Sequence, residues 1–316
     1  MAKYALLIGV SDYGNGYPKL FSPLNDIEAL RKVLLNPDKG GFDEVTTLPN
    51  CDTVKMEKAI LTLFHGRTRD NITLLYFSCH GIRERGEFYF ATRATENDEQ
   101  GNLLTSTALS ANRVHSIMSS SSLKKQVVIL DCCFSATFAD GLLIREKLQE
   151  KGRVILTSST STQPSFEQEG SPLSIYTRYL VAGINTGEAD VDEDGVISIK
   201  NLHDYTARKV KEADPRMQPE IYSVQPELLS AISIAKAPIR NPRLRYSREV
   251  KLLCPEGEFS RVTRAQLDDL GEELGLSLED ATVIEHEVLK PIQEYKKNLQ
   301  IFEDDLREEI NRVLSE

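Results

Sequence analysis

Two stretches of this 316-residue chain end in residues able to do covalent chemistry. Val127–Leu130 are four apolar residues, and Asp131, Cys132 and Cys133 follow them directly. Thr73–Phe77 is likewise followed by Ser78, Cys79, His80 and Gly81. A short apolar run of this kind reads as a strand buried on both faces, and chemistry in open α/β sheets gathers at the carboxyl ends of strands. A cysteine is a nucleophile only as its thiolate, and a nearby imidazole can take the thiol proton or hold the thiolate as an ion pair. Thiol attack on an electrophilic carbon is the chemistry these residue types point to. The strand period does not choose between Cys132 and Cys133, because both faces of a central strand are expected to be buried. Cys79, His80, Cys132 and Cys133 also supply the donor types of a tetrahedral zinc site, although adjacent pairs close such a site poorly.

Bringing two strand ends together takes a sheet, and the rest of the chain supplies one. Tyr4–Val10, Val45–Leu48 and Val154–Thr157 read as further strands. Helical periodicity marks Asn25–Leu35, Val54–Phe64, Ala111–Met118, Ser174–Ile184 and Ser198–Val210. Glu87–Ala91 reads as a small hairpin beyond the histidine, and Thr95–Ser106 as a polar loop. Strands alternating with helices predict an α/β fold with a mostly parallel central sheet flanked by helices. This domain is expected over residues 1–235. A Pro-rich linker follows at 236–247, then a small all-α module at 248–316. There, Thr263 with Gln266 forms a capping-box pattern and Ser277 caps a second helix. Val288, Ile292, Tyr295, Leu299, Phe302 and Leu306 make a heptad stripe, which reads as the core of a small bundle or as a coiled-coil seam.

The charge divides the same way. Residues from Glu249 onward hold 18 acidic and 8 basic side chains of the chain's 48 and 38, so the earlier part is balanced at 30 each. Nothing is basic enough to predict a nucleic-acid partner. The five cysteines show no paired spacing, which predicts free thiols in a reducing, cytoplasmic setting. Tyr4–Val10 is too short for a secretory signal or a membrane span. His65, His115, His203 and His286 have no motif around them.

FSCHG at 77–81 resembles the Y-S-G-H-G segment of caspases and metacaspases, and DCCFSA at 131–136 resembles the metacaspase D-C-C-H-S-G. The separation 133 − 80 = 53 matches the roughly 50 residues between caspase histidine and cysteine. Over Lys3 to Tyr222 the chain is similar to the caspase-like cysteine peptidases, nearest the metacaspases and their prokaryotic, orthocaspase-like relatives. The resemblance implies Cys133 as nucleophile, His80 as general base, and the Gly81 and Cys133 backbone amides as oxyanion donors. It also implies an S1 pocket built from Asp26, Ser78 and Asp131, accepting Arg or Lys at P1. Asp26 equally reads as an acid favoured by the dipole of a helix first turn, and Asp131 as a turn hydrogen-bond acceptor.

Such enzymes act on protein substrates and require no cofactor, though many metacaspases use calcium. Here Asp190, Asp192 and Asp194 with Gly195 begin like an EF-hand loop, but position 12 is Asn201 where a bidentate Glu belongs, so a structural turn is the competing reading. The family's other acidic loop has its nearest match at Glu96-Asn97-Asp98-Glu99. Arg145, Lys147 and Lys151 lie where relatives are self-cleaved, and they equally suit a solvated helix. Prokaryotic members are associated with stress responses, cell death and antiphage defence. The acidic tail would then bind a regulatory protein partner, with no membrane involved. A non-catalytic signalling scaffold assembling through that tail is the rival reading.

Overall fold

The computed structural model describes residues 1–14, 17–134, 147–158, 171–238 and 241–315, with side chains at 133–134, 303–306 and 308–315 outside the description. Two units divide the chain: Met1–Val191 with Val196–Ala237, and Asp192–Gly195 with Pro238–Glu316.

In the first unit the apolar runs form β1 (Lys3–Gly9), β2 (Glu44–Pro49), β3 (Ile72–Glu84), β6 (Lys125–Phe134) and β7 (Arg153–Thr157). Sheet order is β2-β1-β3-β6-β7, closed by the short β9 (Glu220–Tyr222). The first five strands run parallel, and β9 is antiparallel to β7. β4 (Glu87–Phe90) returns antiparallel along the far half of β3, and β5 (Leu109–Ser110) pairs with it. β8 (Val196–Ser198) and β10 (Ser233–Lys236) form a separate antiparallel pair.

Each face of the sheet is covered by helices. α2 (Thr53–Phe64) and α3 (Ala111–Ser119) bury Met56, Ile60, Leu63, Val114 and Ile117 against Leu75, Phe77, Val128 and Leu130. α1 (Pro23–Leu35), α4 (Ile175–Thr186) and α5 (Ile199–Ala213) bury Ile27, Leu30, Tyr176, Leu180 and Leu202 against Leu74, Tyr76, Val127 and Ile129. The two sets alternate along β3 and β6, the period-2 pattern of a strand buried on both faces. The short α6 is Glu227–Ala231. Gly9 admits α1 at the end of β1: a Cβ there would meet the Pro23 carbonyl oxygen at 2.6 Å.

The strands run further than the apolar runs predict. β3 continues through His80 to Glu84 and β6 through both cysteines to Phe134, paired in register from Ile72 with Lys125 to Gly81 with Phe134. The two strands carry each other on by this pairing, while β7 stops pairing with β6 at Leu130, so polar side chains do not end the β3–β6 ladder.

The second unit contains α7 (Pro242–Leu253), α8 (Arg261–Glu273) and α9 (Leu278–Ser315). Asn241 caps α7 and Pro242 is suited to a first helical position, so helix begins inside the stretch that reads as linker. Ser260, not Thr263, caps α8, accepting from the Thr263 amide at 3.0 Å. Tyr246, Val250, Leu267, Ile284 and Leu289 make its core. The heptad stripe splits: Val288 and Ile292 pack on that core, whereas Tyr295 and Phe302 are 68% and 63% exposed. Among the described residues no helix is long and apolar enough to cross a membrane.

Candidate active site

The β3–β6 register sets Ser78 opposite Asp131, Cys79 opposite Cys132, and His80 opposite Cys133. Neighbouring strands lie about 4.8 Å apart, so each pair consists of side-by-side residues. Alternation then separates the two cysteines. Cys132 belongs to the α2/α3 face, 1% exposed, with its Sγ 3.7 Å from the Cys79 Sγ. Burial and the neighbouring Cys79 hold the Cys132 thiol well above its ordinary pKa, which makes it a poor thiolate source. Cys133 stands at the register position beside His80, and its side chain lies outside the described residues. The described members of the zinc alternative do not converge: Cys79 and Cys132 meet in the core, and the His80 Nε2 is turned to a backbone carbonyl.

That carbonyl belongs to Pro18, 2.8 Å from Nε2. The loop carrying it also holds the histidine in two other ways. The Tyr13 hydroxyl donates to the Val10 carbonyl at 2.6 Å and accepts from the His80 amide at 2.9 Å. Its ring lies 4.6 Å from the imidazole, and the Tyr17 ring 5.9 Å. Gly81 is buried in β3, opposite Phe134 on one side and Phe90 on the other. It is therefore a strand residue beside His80 and not the tight turn its type also allows.

Asp26, Ser78 and Asp131 are buried together on the α1/α4 side. The Ser78 hydroxyl donates to Asp26 at 3.1 Å. Ser174 caps α4 and bridges both acids: its amide donates to Asp26 at 3.0 Å and its hydroxyl to Asp131 at 2.5 Å. Thr177 and Tyr76 hydroxyls donate to the same Asp131 oxygen at 2.9 and 3.4 Å. Burial pushes the Asp131 carboxyl up, while hydrogen bonds from Ser174, Thr177, Ser158 and Tyr76 pull it back. Both acids thus sit at the start of α4, where amide dipoles favour negative charge. Tyr13, Tyr17, Pro18, Tyr76, Ser174 and Thr177 went unnoticed in the sequence. Only Tyr76 carried a signal, two residues before Ser78 in a buried strand.

Asp190 is buried in the first unit. In the second, Arg248 pairs with Asp192 at 2.9 Å and Asp194 at 2.5 Å. Asn201, at the position of the bidentate ligand, accepts from the Ser198 hydroxyl at 2.7 Å in the cap of α5. Of the basic residues in the connection after β6, Lys147 pairs with Glu87 at 3.0 Å, Lys151 is exposed, and Arg145 lies outside the described residues.

A scan against protein families matches residues 2–230 to the caspase domain of the C14 peptidases. The crystal structure of protein GSU0716 from Geobacter sulfurreducens is similar to this chain at 17% identity, covering 75% of this chain and 100% of that one with a TM-score of 0.54. At that identity the likeness concerns the fold. A search of curated proteins finds no match. A parallel sheet carrying His80 and Cys133 side by side, in a segment matched nearly end to end, establishes that this chain belongs to the caspase-domain family of cysteine peptidases.

Proposed function

We propose that this chain is a cysteine endopeptidase that cleaves after Arg or Lys through a His80/Cys133 dyad. The observation that carries the reading is the in-register pairing of His80 with Cys133, together with the Pro18 carbonyl at the His80 Nε2. A carbonyl only accepts, so Nε2 holds its proton toward Pro18, and the lone pair lies on Nδ1. Nδ1 takes the Cys133 proton as the sulfur attacks the scissile carbonyl carbon. The Gly81 and Cys133 amides stabilise the oxyanion. The protonated imidazole then gives its proton to the departing amine, and water, activated by His80, hydrolyses the thioester.

Basic P1 specificity rests on Asp26 and Asp131. The described partners of Asp131 are hydroxyls, so an incoming guanidinium or ammonium would supply counter-charge to a buried carboxylate. The enzyme requires no cofactor in this reading, and calcium dependence is decided by the with-and-without-calcium arms of the test below. It acts in the cytoplasm on protein substrates, as a regulated effector of stress, cell death or antiphage defence. The exposed Tyr295 and Phe302 favour a partner-binding role for residues 248–316. Self-cleavage after Lys151 would fit the same specificity.

A fluorogenic-peptide panel with Arg, Lys, Asp or Ala at P1 tests the reading, run with and without calcium on wild type and Cys133→Ala. Hydrolysis after Arg and Lys should disappear in Cys133→Ala and fall at least 100-fold in Asp131→Asn, on the order of 2.7 kcal/mol. Cleavage after Asp would overturn the pocket assignment while keeping the dyad. Activity surviving in Cys133→Ala would remove the nucleophile.

A further inference from the structure

The loop after β4 reaches the histidine through a side chain that does not touch it. Residues 96–104 close on themselves as a small hairpin: the Leu104 amide donates to the Glu96 carbonyl at 2.9 Å, and Asn97 bridges Leu103. Inside it the Asp98 carboxylate accepts from the Gln100 and Asn102 amides at 2.9 and 2.8 Å. These bonds keep the Asp98 carboxyl below its usual range, the Asn102 side chain contributing most. The base is pinned by Thr95, whose hydroxyl accepts from the Thr92 amide at 2.7 Å and donates to the Thr107 carbonyl at 3.1 Å. The Leu103 amide donates to Glu84 at the end of β3 at 3.3 Å. Asp98 thus shapes the turn.

What this braced loop presents is Asn97, whose Oδ1 accepts from the Tyr17 hydroxyl at 2.9 Å. Tyr17 directly precedes Pro18, the residue whose carbonyl faces the His80 Nε2. Its ring also packs edge-on to Tyr13 at 6.4 Å and tilted over the imidazole at 5.9 Å. Fixing the Tyr17 hydroxyl therefore fixes both the carbonyl and one wall of the ring's seat.

We infer that Asn97, acting through the Tyr17 hydroxyl, is a positioning residue for His80, so that the 95–106 loop sets the orientation of the general base. Loss of the anchor frees the Pro18 carbonyl to drift, and misplacement near 1 Å costs such a site about 100-fold at most. The activity side of this inference rests on the dyad proposed above; the placement of the imidazole does not.

The imidazole resonances of full-length protein with labelled histidine are therefore compared first, with His80→Gln providing the assignment. Asn97→Ala should move the His80 resonances and change their titration midpoint, although Asn97 is two contacts from the ring. Tyr17→Phe should do the same, whereas Asn97→Asp, which keeps an acceptor, should leave the neutral-form resonances at their wild-type positions while its charge raises the midpoint. In hydrolysis, Asn97→Ala and Tyr17→Phe should each lower kcat/KM on the order of 10-fold through kcat, with the acid limb of the pH profile displaced. The double variant should lose no more than either single one, as members of one chain of contacts do. Superimposable His80 titrations in wild type and Asn97→Ala would overturn the inference. Moved resonances in a protein whose wild type lacks Cys133-dependent hydrolysis would sustain it and remove the peptidase reading instead.

Discussion

Asp131 shows how one side chain can be well bonded and still be strained by its surroundings. Three hydroxyls converge on one oxygen, yet burial dominates and raises the carboxyl's pKa. A carboxyl raised on folding contributes stability that is fully present below its unfolded value, near 3.8, and is lost as pH rises through the folded value. Wild type should therefore gain stability relative to Asp131→Asn as pH falls from neutral toward about 4, read as a difference in melting temperature. If the two melting curves track each other across that range, the carboxyl is not raised. The Cys79–Cys132 contact makes the complementary point. Two thiols 3.7 Å apart look reactive in sequence, and burial instead makes Cys132 part of the core.

At the level of elements, α4 and α5 matter most because they seat the first against the acids and the second beneath it. Gly183 of α4 lets them meet closely: a Cβ there would stand 2.8 Å from the Tyr205 ring of α5. On α5, His203 is buried, with its Nδ1 lacking a hydrogen-bond partner among the described residues. Burial lowers its pKa to about 4. A base depressed on folding contributes stability present above its unfolded pKa, 6.5, and lost as pH falls toward the folded value. Urea unfolding of wild type against His203→Leu should show wild type losing on the order of 2 to 4 kcal/mol between pH 6.5 and 4 relative to the variant. A flat difference would mean that water reaches the ring.

The whole molecule separates into an electrically balanced first part and an acidic helical second unit with its own core. That core is organised by Glu285, nearly buried, which accepts a two-pronged pair of bonds from Arg264 at 2.8 and 2.9 Å and another from Tyr246 at 2.7 Å. Removing the acid leaves the Tyr246 hydroxyl without its acceptor and Arg264 with only the longer pair to Asp268 at 3.7 Å, and because the guanidinium is part-exposed the loss is about 1 to 3 kcal/mol. Limited proteolysis of Glu285→Ala should cut rapidly within residues 238–316 and leave 1–237 as a stable fragment by mass. Equal digestion of both segments would mean that the units unfold as one.

Local composition alone determined a good deal: the apolar runs and their alternation with helical periods led to a mostly parallel α/β sheet with His80 and two adjacent cysteines at strand ends, while the preference for Cys133 over Cys132 came from the resemblance to the metacaspase motif. Those are properties of contiguous residues, set by side-chain period and by which types do chemistry. Pairing decided the rest. Strand ends, the face taken by Cys132, and the neighbours of Asp26 depend on which backbone lies alongside, and sequence distance carries no trace of that. Ser174 is 148 residues from Asp26, and Asn97 is 80 from Tyr17. Their bonds exist because the β3–β6 register and two loops bring them within reach, a long-range geometry that no local pattern encodes.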